Sequence, residues 1–315
     1  MLSTIELRHL HAVIALAEEL NFTRAALRLH ISQPALSKQI TELEQAHGFP
    51  MFIRTKKRFV ELTDAGSAFV AEAKASIMHL ERAGAHGRAA HEGSEDALIV
   101  GYSPHTDRAW IAAVLANHLP LYPRLQIRLL NQFSMESVRS VMMGALDFAL
   151  VMAPPQDDPQ ITAAAFARTP LYAALPETHP AAHKERLVLQ DLANDPWILF
   201  PKHHDPLMYE AIGDTARHHS IVPKYAHDII VAHQAVDLVA EHIGVAILAT
   251  PLPCDCRVKG IVIRPLSDSS LSFESCIVMR AGDNSRLANE FVRSFLRKHP
   301  LRALLPRQLE LALSA

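Results

Sequence analysis

Apolar residues recur every three or four positions at three places in the first fifty residues, with polar residues between them. This spacing is typical of amphipathic helices. It predicts a helix over residues 5–20, a short second helix capped by Asn21 or Thr23, and a third from about Gln33 to His47. The chain therefore begins with three closely connected helices.

The third predicted helix has two different faces. At 100° per residue, Leu36, Ile40 and Leu43 share a narrow arc and indicate a packed side. The adjoining arc is small and polar, and it consists of Gln33, Pro34, Ser37, Lys38 and Thr41. A lone helix usually leaves such a face in solvent, but a tight turn after a short helix forms the two-helix unit that presents its second helix to a DNA major groove. Glutamine can read adenine, lysine can read guanine or phosphate, and serine is adaptable.

Two short β-prone pieces follow, between Phe52 and Leu62, around a turn that holds four cations within five residues. The pattern predicts a basic β-hairpin. Its cations are Arg54, Lys56, Lys57 and Arg58. Exposed cations often serve only solubility, whereas beside a two-helix unit they are placed to neutralise phosphates.

A long helix is expected from about Asp64 to His91, capped by Thr63. Apolar or small residues alternate along it at spacings of three and four, which suits pairing with a second copy of the chain. These residues are Val70, Ala73, Ile77, Leu80 and Gly84.

The rest of the chain alternates between strand and helix patterns. Strands are expected over residues 97–102, 125–130, 147–152, 171–175, 197–200, 245–249, 261–265 and 273–279. Helices are expected over residues 107–119, 134–143, 189–193, 206–219, 233–243 and 285–298. Such alternation implies an α/β fold with mostly parallel sheets and helices on both faces.

Composition narrows the class of protein. A length of 315 residues suggests about two domains, and 49% hydrophobic with 20% charged residues argues against disorder. Three cysteines argue against a disulfide framework or a zinc-ribbon array. The net charge of −2 gives no polyelectrolyte character, although residues 1–90 carry +2 and the remainder −4. The sequence shows no signal peptide and no membrane span, so a cytoplasmic location without membrane contact is expected.

The N-terminal motifs resemble those of a known family, the LysR-type transcriptional regulators. The resemblance lies in the segments FTRAAL (22–27), SQPALSKQI (32–40), LE (43–44) and LTDAG (62–66), which keep fixed spacings over some forty-five residues. Two residues depart from the family pattern, since His47 and Met51 both stand where leucine is usual. Both are packing positions.

The resemblance implies a winged helix-turn-helix domain over residues 1–62, a linker and dimerisation helix over 63–91, and an effector-binding domain over 92–300, followed by a tail. In the family this domain has two α/β lobes joined by two crossing strands, like type II periplasmic binding proteins, with a small-molecule cleft between them. Lobe I would comprise about 96–166 and 267–300, lobe II about 167–266, and the tail 301–315.

The same resemblance implies partners and contacts. The expected partners are double-stranded DNA at a near-palindromic promoter site, a small-molecule effector, a second copy of the chain in a homodimer and further in a homotetramer, and RNA polymerase. Neither a metal nor another cofactor is expected. Besides the polar face and the hairpin cations, the expected DNA contacts are Thr23, Arg24 and Ser32.

The effector is expected at the corners where strands end and helices begin. Ser103 and Thr106 follow the first strand of the regulatory region, and Ser134 opens the helix after the second. Free N–H groups and the positive helix end attract carboxylates there, so a small organic anion is the predicted effector. Each hydroxyl is also a plausible helix cap. Lys202 and His203 are expected from the second lobe, unless they form only a surface loop.

Other functions have weaker support. The nineteen histidines match no hydrolase, zinc-protease or phosphate-binding motif, so the chain is not expected to be an enzyme. A thiol-based redox or metal sensor is the alternative, because Cys254 and Cys256 are close in a proline-bounded loop, while Cys276 is expected to be buried and inert. A stand-alone solute-binding protein would need an export signal.

Overall fold

The computed structural model of the chain describes residues 5–54, 60–92, 97–118, 124–155, 158–202, 205–229, 232–249, 260–283, 285–300 and 302–303. Contacts divide the chain into two compact units, Met1–Gly87 and Arg88–Ala315. Within the described ranges, no helix is both long and apolar enough to cross a membrane.

The described part of the first unit is helical, with one small antiparallel sheet. Its helices are α1 (Leu7–Glu19), α2 (Phe22–Arg28), α3 (Gln33–His47) and α4 (Asp64–His91), the last of which continues into the second unit. Its strands are β1 (Phe52–Arg54) and β2 (Val60–Leu62), which form the two sides of a hairpin. The four helices and the hairpin confirm the elements predicted from the hydrophobic pattern.

Side chains at the helix ends explain why α2 and α3 begin and end where they do. Asn21, and not Thr23, caps α2, because its Oδ1 accepts the N–H groups of Thr23 and Arg24 at 2.9 and 3.1 Å. Ser32 caps α3 by accepting the N–H of Ala35 at 3.3 Å. Gly48 then ends α3 in the left-handed conformation, at φ +78°, which glycine adopts without strain.

The packed face of α3 forms the centre of the first unit's core. Leu36, Ile40 and Leu43 are at most 1% exposed and pack with apolar residues of α1, α2, the hairpin and the start of α4. Burial of each such side chain stabilises the fold by about 1.5–3 kcal/mol. The predicted amphipathic division of α3 is therefore confirmed, and the core fixes which face the helix presents outward.

The junction between hairpin and α4 depends on Thr63 and Gly66. The Thr63 hydroxyl donates to the Pro50 carbonyl at 2.9 Å and accepts the Gly66 N–H at 2.8 Å, as a helix cap does. A Cβ at Gly66 would lie 2.0 Å from the Met51 carbonyl oxygen. A side chain at residue 66 would therefore require the two backbone segments to move apart.

The apolar positions of α4 do not all lie on one free surface. Val70 and Ala73 are buried in the core of the first unit, whereas Ile77 is half-buried and Leu80 is 56% exposed. The prediction of one continuous pairing seam is therefore wrong at its N-terminal end. The three-four spacing serves first to hold the helix onto its own unit.

The second unit contains two mixed β-sheets with helices packed on them. The strands are β3 (Ala97–Tyr102), β4 (Gln126–Asn131), β5 (Phe148–Met152), β6 (Ile161–Pro170), β7 (Tyr172–Pro176), β8 (Pro196–Leu199), β9 (Lys224–Asp228), β10 (Val245–Leu248), β11 (Ile261–Pro265), β12 (Ser272–Arg280) and β13 (Arg302–Ala303). The helices are α5 (Arg108–His118), α6 (Ser134–Met142), α7 (Pro206–His218), α8 (Ala232–Ala240) and α9 (Arg286–Lys298). Short 3₁₀ turns occupy Leu189–Leu192 and Ser269–Leu271.

The two sheets define two lobes. The first sheet has the order β13-β6-β12-β5-β3-β4 and the second β11-β7-β10-β8-β9. The chain crosses from the first sheet to the second between β6 and β7, and returns between β11 and β12. We call the first sheet with α5, α6 and α9 lobe I, and the second sheet with α7 and α8 lobe II. Each lobe has its own apolar core, which contains Phe148 and Phe291 in lobe I and Trp197 in lobe II.

The sheets differ from the predicted, mostly parallel arrangement. Strand β12 is antiparallel to β5 and β6, and β7 is antiparallel to β10 and β11. Three strands, β6, β9 and the two-residue β13, had no counterpart in the prediction. The sequence of β6 is rich in alanine and that of β9 is polar and exposed at a sheet edge, so neither shows the β-branched alternation that marks a strand.

Candidate functional site

The polar side of α3, together with α2 and the turn between them, forms an outward surface of the first unit. Most of the DNA contacts predicted here are exposed, namely Thr23, Arg24, Ser32, Gln33, Pro34 and Lys38, whereas Ser37 and Thr41 are half-buried. We call Gln33, Pro34, Ser37, Lys38 and Thr41 the recognition face. Because the opposite side of α3 is packed in the core, this face stands on a rigid helix.

Hydrogen bonds divide the recognition face into structural and projecting side chains. The Thr41 hydroxyl donates to the Ser37 carbonyl at 2.9 Å, and the Ser32 hydroxyl is occupied by the cap of α3. Gln33 and Lys38 have the longest side chains of the face and are both exposed. They are the groups that can reach base edges in a groove.

Acidic residues on the same unit moderate its positive charge. Arg24 lies 3.0 Å from a Glu19 oxygen, and Arg28 lies 2.7 Å from Glu18. Lys38 lies 3.7 Å from Glu42, one turn further along α3. Such exposed pairs contribute little to stability, but they orient the cations and weaken non-specific attraction for phosphates.

The hairpin is tied to α3 by a carboxylate that the sequence interpretation assigned no role. Glu44 accepts the N–H groups of Met51 and Phe52 through one oxygen, at 2.8 and 3.2 Å. Glu44 therefore joins the end of the recognition helix to the first strand of the hairpin. The glutamate belongs to the LE motif, but nothing in the local pattern indicates its distant backbone partners.

Both residues that depart from the family pattern pack inside the first unit. Met51 is fully buried, and the His47 ring lies 4.7 Å from the Phe69 ring, edge to face. Of the predicted hairpin cations, Arg54 lies at the end of β1. Lys56, Lys57 and Arg58 lie outside the described residues, so their contacts with DNA stay a prediction.

In lobe I, two of the predicted effector residues meet at the end of β5. The Ser103 N–H donates to the Leu150 carbonyl at 3.1 Å, and the Thr106 hydroxyl donates to the same oxygen at 3.3 Å. The Ser103 hydroxyl accepts the His105 N–H at 3.1 Å. The two residues thus form a compact turn at the carboxyl end of β3, with their polar groups engaged by neighbouring backbone.

Ser134 reaches the same strand from the other corner. It is the first residue of α6, is 4% exposed, and its hydroxyl accepts the Met152 N–H at 3.3 Å. The fold therefore brings Ser103, Thr106 and Ser134 together around the end of β5. Their hydrogen bonds agree with structural roles as caps and turns, and a hydroxyl keeps capacity for a further partner.

The predicted residues of lobe II are less informative. The Lys202 ammonium lies 2.9 Å from Glu210, and the Lys202 side chain is 60% exposed. This pair is an ordinary surface ion pair. His203 and His204 lie outside the described residues.

The sequence interpretation missed a buried pair of ionisable side chains that connects the two lobes. His105 lies on the turn after β3, and Asp205 caps α7 in lobe II. Their side chains are 1% and 7% exposed, and Nε2 of His105 lies 3.6 Å from Oδ2 of Asp205. No local sequence motif indicates this pair, because the two residues are one hundred positions apart. Each has the local sequence of a turn or cap residue.

Aromatic rings surround this pair on both sides. The His105 ring packs edge to face against Phe200 of lobe II, with centroids 4.5 Å apart, and lies 6.0 Å from the Phe133 ring of lobe I. Burial raises the pKa of Asp205 to about 6, and the hydrogen bond from the Met208 N–H offsets part of this increase. A carboxyl group that titrates in this range is typical of functional sites.

A separate groove of about 930 Å³ lies beside the crossing strands. It is lined by residues of β6 and β12, the segment after β5, and Leu207 of α7, with Asp158, Arg168 and Glu274 as its charged members. Ser103, Thr106 and Ser134 are not among the described residues that line this groove. The corner at β5 and the groove are thus different features.

The described residues offer no site for the alternative function, a thiol-based redox or metal sensor. Burial raises the pKa of the Cys276 thiol to about 12, so it stays protonated and unreactive, as predicted. Cys254 and Cys256 lie outside the described residues. No group of three or more histidine, cysteine or acidic side chains in the described part of the chain could hold a metal ion.

A winged helix-turn-helix unit with an outward polar helix, followed by a two-lobed α/β domain, defines a class: DNA-binding transcriptional regulators with a ligand-binding domain. Residues 7–67 match the family model for the bacterial regulatory helix-turn-helix protein, lysR family. Residues 91–300 match the LysR substrate binding domain. The chain therefore belongs to the LysR family of transcriptional regulators and combines DNA-binding and effector-binding domains.

Individual relatives agree with this assignment. The regulator YnfL of Escherichia coli K12 is 33% identical over 250 residues, which cover 78% of this chain and 82% of YnfL. The regulator BudR of Raoultella terrigena is 29% identical, over 92% of this chain and all of BudR. The crystal structure of full-length CbnR complexed with its target DNA has a TM-score of 0.61 and 25% identity, and the match covers 93% of this chain and 99% of CbnR.

Proposed function

We propose that this regulator binds a near-palindromic promoter site and that a small organic anion, bound between the lobes, controls its action. The recognition face carries the DNA part of the proposal, because it is the polar, outward side of a helix whose other side is fixed by Leu36, Ile40 and Leu43. A rigid helix with such a face is the element that enters the major groove in this class.

The residues divide into two roles toward DNA. Gln33 and Lys38 read bases, since they project furthest from the recognition face. Thr23, Arg24, Ser32, Pro34, Ser37 and Thr41 line the same surface and complete the contact. Arg54, Lys56, Lys57 and Arg58 neutralise phosphates, which supplies affinity without sequence preference.

Assembly follows from the organisation of the chain. Residues 1–62 form the DNA-binding domain, 63–91 the linker helix that pairs two copies, and 92–300 the effector domain. The exposed Leu80 supports pairing through α4, because a large apolar side chain on a helix surface favours contact with another chain. Two dimers join into a tetramer that acts in the cytoplasm with RNA polymerase.

The effector acts by shifting the balance between two arrangements of the assembly. Ser103, Thr106 and Ser134 hold the corner at β5, and Lys202 and His203 are the proposed effector contacts from lobe II. The shift is limited by the ligand's difference in affinity for the two arrangements, typically about 1–3 kcal/mol.

The DNA proposal is tested with the DNA upstream of the gene. Fluorescence anisotropy at modest ionic strength should show tighter binding to this fragment than to shuffled DNA of equal length. Equal affinity for both fragments would remove the claim of sequence-specific binding.

The effector proposal is tested separately with thermal shift. A panel of small carboxylates is compared with the matched neutral amides, and carboxylates alone should raise Tm. Stabilisation by amides or cations without any by carboxylates would exclude the anion.

A further inference from the structure

The structure joins the two lobes through one buried pair of ionisable side chains. His105 belongs to lobe I and Asp205 to lobe II, and Nε2 and Oδ2 lie 3.6 Å apart. Both side chains are more than nine-tenths buried. At this distance between poorly solvated groups, an imidazolium and a carboxylate attract each other strongly, even without a direct hydrogen bond.

The groups around the Asp205 carboxylate are those that would bind a ligand carboxylate. One oxygen, Oδ1, accepts the Met208 N–H at 3.1 Å at the start of α7, while Oδ2 faces the His105 ring. A helix N-terminus on one side and an imidazole on the other are the two kinds of group that stabilise a carboxylate.

The aromatic side chains around His105 and Asp205 determine which ligands suit this position. Phe200 contacts the His105 ring edge to face, and Phe133 approaches from the other lobe. Aromatic walls exclude water and favour an apolar body attached to a charged head group. A small carboxylate with an apolar body has both features.

We propose that His105 is the residue that receives the carboxylate of the effector, and that Asp205 occupies this place in the structure as an internal substitute. This inference rests on the proposed function, since it assigns a residue and a ligand group to the inter-lobe site. A ligand carboxylate enters by displacing Asp205, which loosens the link between the lobes at the same step. Two ionised carboxylates do not share one buried position, so entry and displacement are coupled.

The experiment uses Asp205→Ser in the full-length chain, with formate as the probe. Serine is a favourable N-cap, so it keeps the start of α7, while it removes the carboxylate from beside His105. Formate at 100 mM should raise the Tm of this variant by about 3 °C more than that of the wild type. Formamide, which is neutral and of similar size, should not show this difference.

The matched control is the double variant Asp205→Ser with His105→Phe. Phenylalanine keeps an aromatic ring against Phe200 but cannot receive an anion. The additional stabilisation by formate should therefore vanish in the double variant. Equal stabilisation of the single variant, the double variant and the wild type would overturn the proposal.

A second variant covers the case in which Asp205→Ser does not fold. Asp205→Asn keeps both the cap and the side-chain volume and removes only the charge. In ¹⁵N-histidine NMR spectra, formate should shift the His105 ring resonances of this variant more than those of the wild type, because no carboxylate charge competes with it. Equal shifts in the two proteins would overturn the proposal. Promoter binding by the wild type is measured independently, so failure of this inference and failure of the proposed function give different results.

Discussion

Single residues on the first unit separate sequence preference from general affinity. Gln33→Ala should relax base preference at one position of each half-site, at a cost of about 1–3 kcal/mol for the preferred base pair, because a bidentate contact is lost. Lys57→Ala should instead weaken binding to all sequences and lower the slope of log K against log salt by about one. Anisotropy titrations against a set of single-base operator variants at several salt concentrations measure both effects. A uniform loss of affinity in Gln33→Ala, or a loss at a single base pair in Lys57→Ala, would contradict the proposed roles.

At the same scale, Asp205 makes stability depend on pH. Its pKa is about 6 in the folded chain and 3.8 in an unfolded one, so between these values the folded state binds more protons. The free energy of unfolding should therefore fall as pH rises from 4 to 6, by at most about 3 kcal/mol from this group.

Asp205→Asn removes the titrating group and keeps the cap of α7. Urea unfolding at pH 4.5 and pH 6.5 should show that the decrease with pH is smaller in the variant than in the wild type. The difference between the two proteins isolates Asp205 from other titrating groups. Identical decreases in both would mean that burial does not raise the Asp205 pKa.

At the scale of elements, two of the three glycines in α4 have opposite surroundings. Gly66 faces the Met51 carbonyl, where a Cβ would lie 2.0 Å from the oxygen, whereas Gly87 has no neighbouring atom within 4 Å of that position. Gly66→Ala should destabilise the first unit by about 2–3 kcal/mol, because backbone must move. Gly87→Ala should stabilise the helix by about 0.5–1 kcal/mol, because alanine favours helix more than glycine. Thermal unfolding of the two variants measures both, and a similar change in each would refute the steric argument.

Elements also differ in how far their sequences define them. The spacing of Leu36, Ile40 and Leu43 and the caps around them predicted α3 with the bounds that the structure has. Strand β6 escaped prediction, because Ala163 to Ala165 provide no β-branched alternation and pair only through β12. Local patterns define an element when its own side chains carry the periodicity. They fail when a neighbouring strand supplies the stabilisation.

At the scale of the whole molecule, Leu80 tests the proposed dimer. The side chain is 56% exposed on α4, past the part of the helix that packs in the first unit. Leu80→Asp should shift the chain from dimer toward monomer in analytical ultracentrifugation at micromolar concentration, because a charge would be buried in the contact. Ala68→Asp is the control, since this exposed alanine lies about 120° around the helix from Leu80. Dissociation by both variants, or by neither, would contradict pairing through this surface.

The sequence by itself determined the family and the helical architecture of the DNA-binding unit. Its caps, stop signals and amphipathic spacing are local properties, and they act over fewer than twenty residues. The corners that hold Ser103, Thr106 and Ser134 were also predictable, because parallel strands end at a common edge.

Only the tertiary structure decided which residues meet across long separations. It brings His105 to Asp205 between the lobes and ties Glu44 to the hairpin backbone, and it places Val70 and Ala73 in the core of the first unit. The physical reason is that burial and pairing of charges depend on the packing of distant segments, whereas a periodic pattern reports only the faces of one segment.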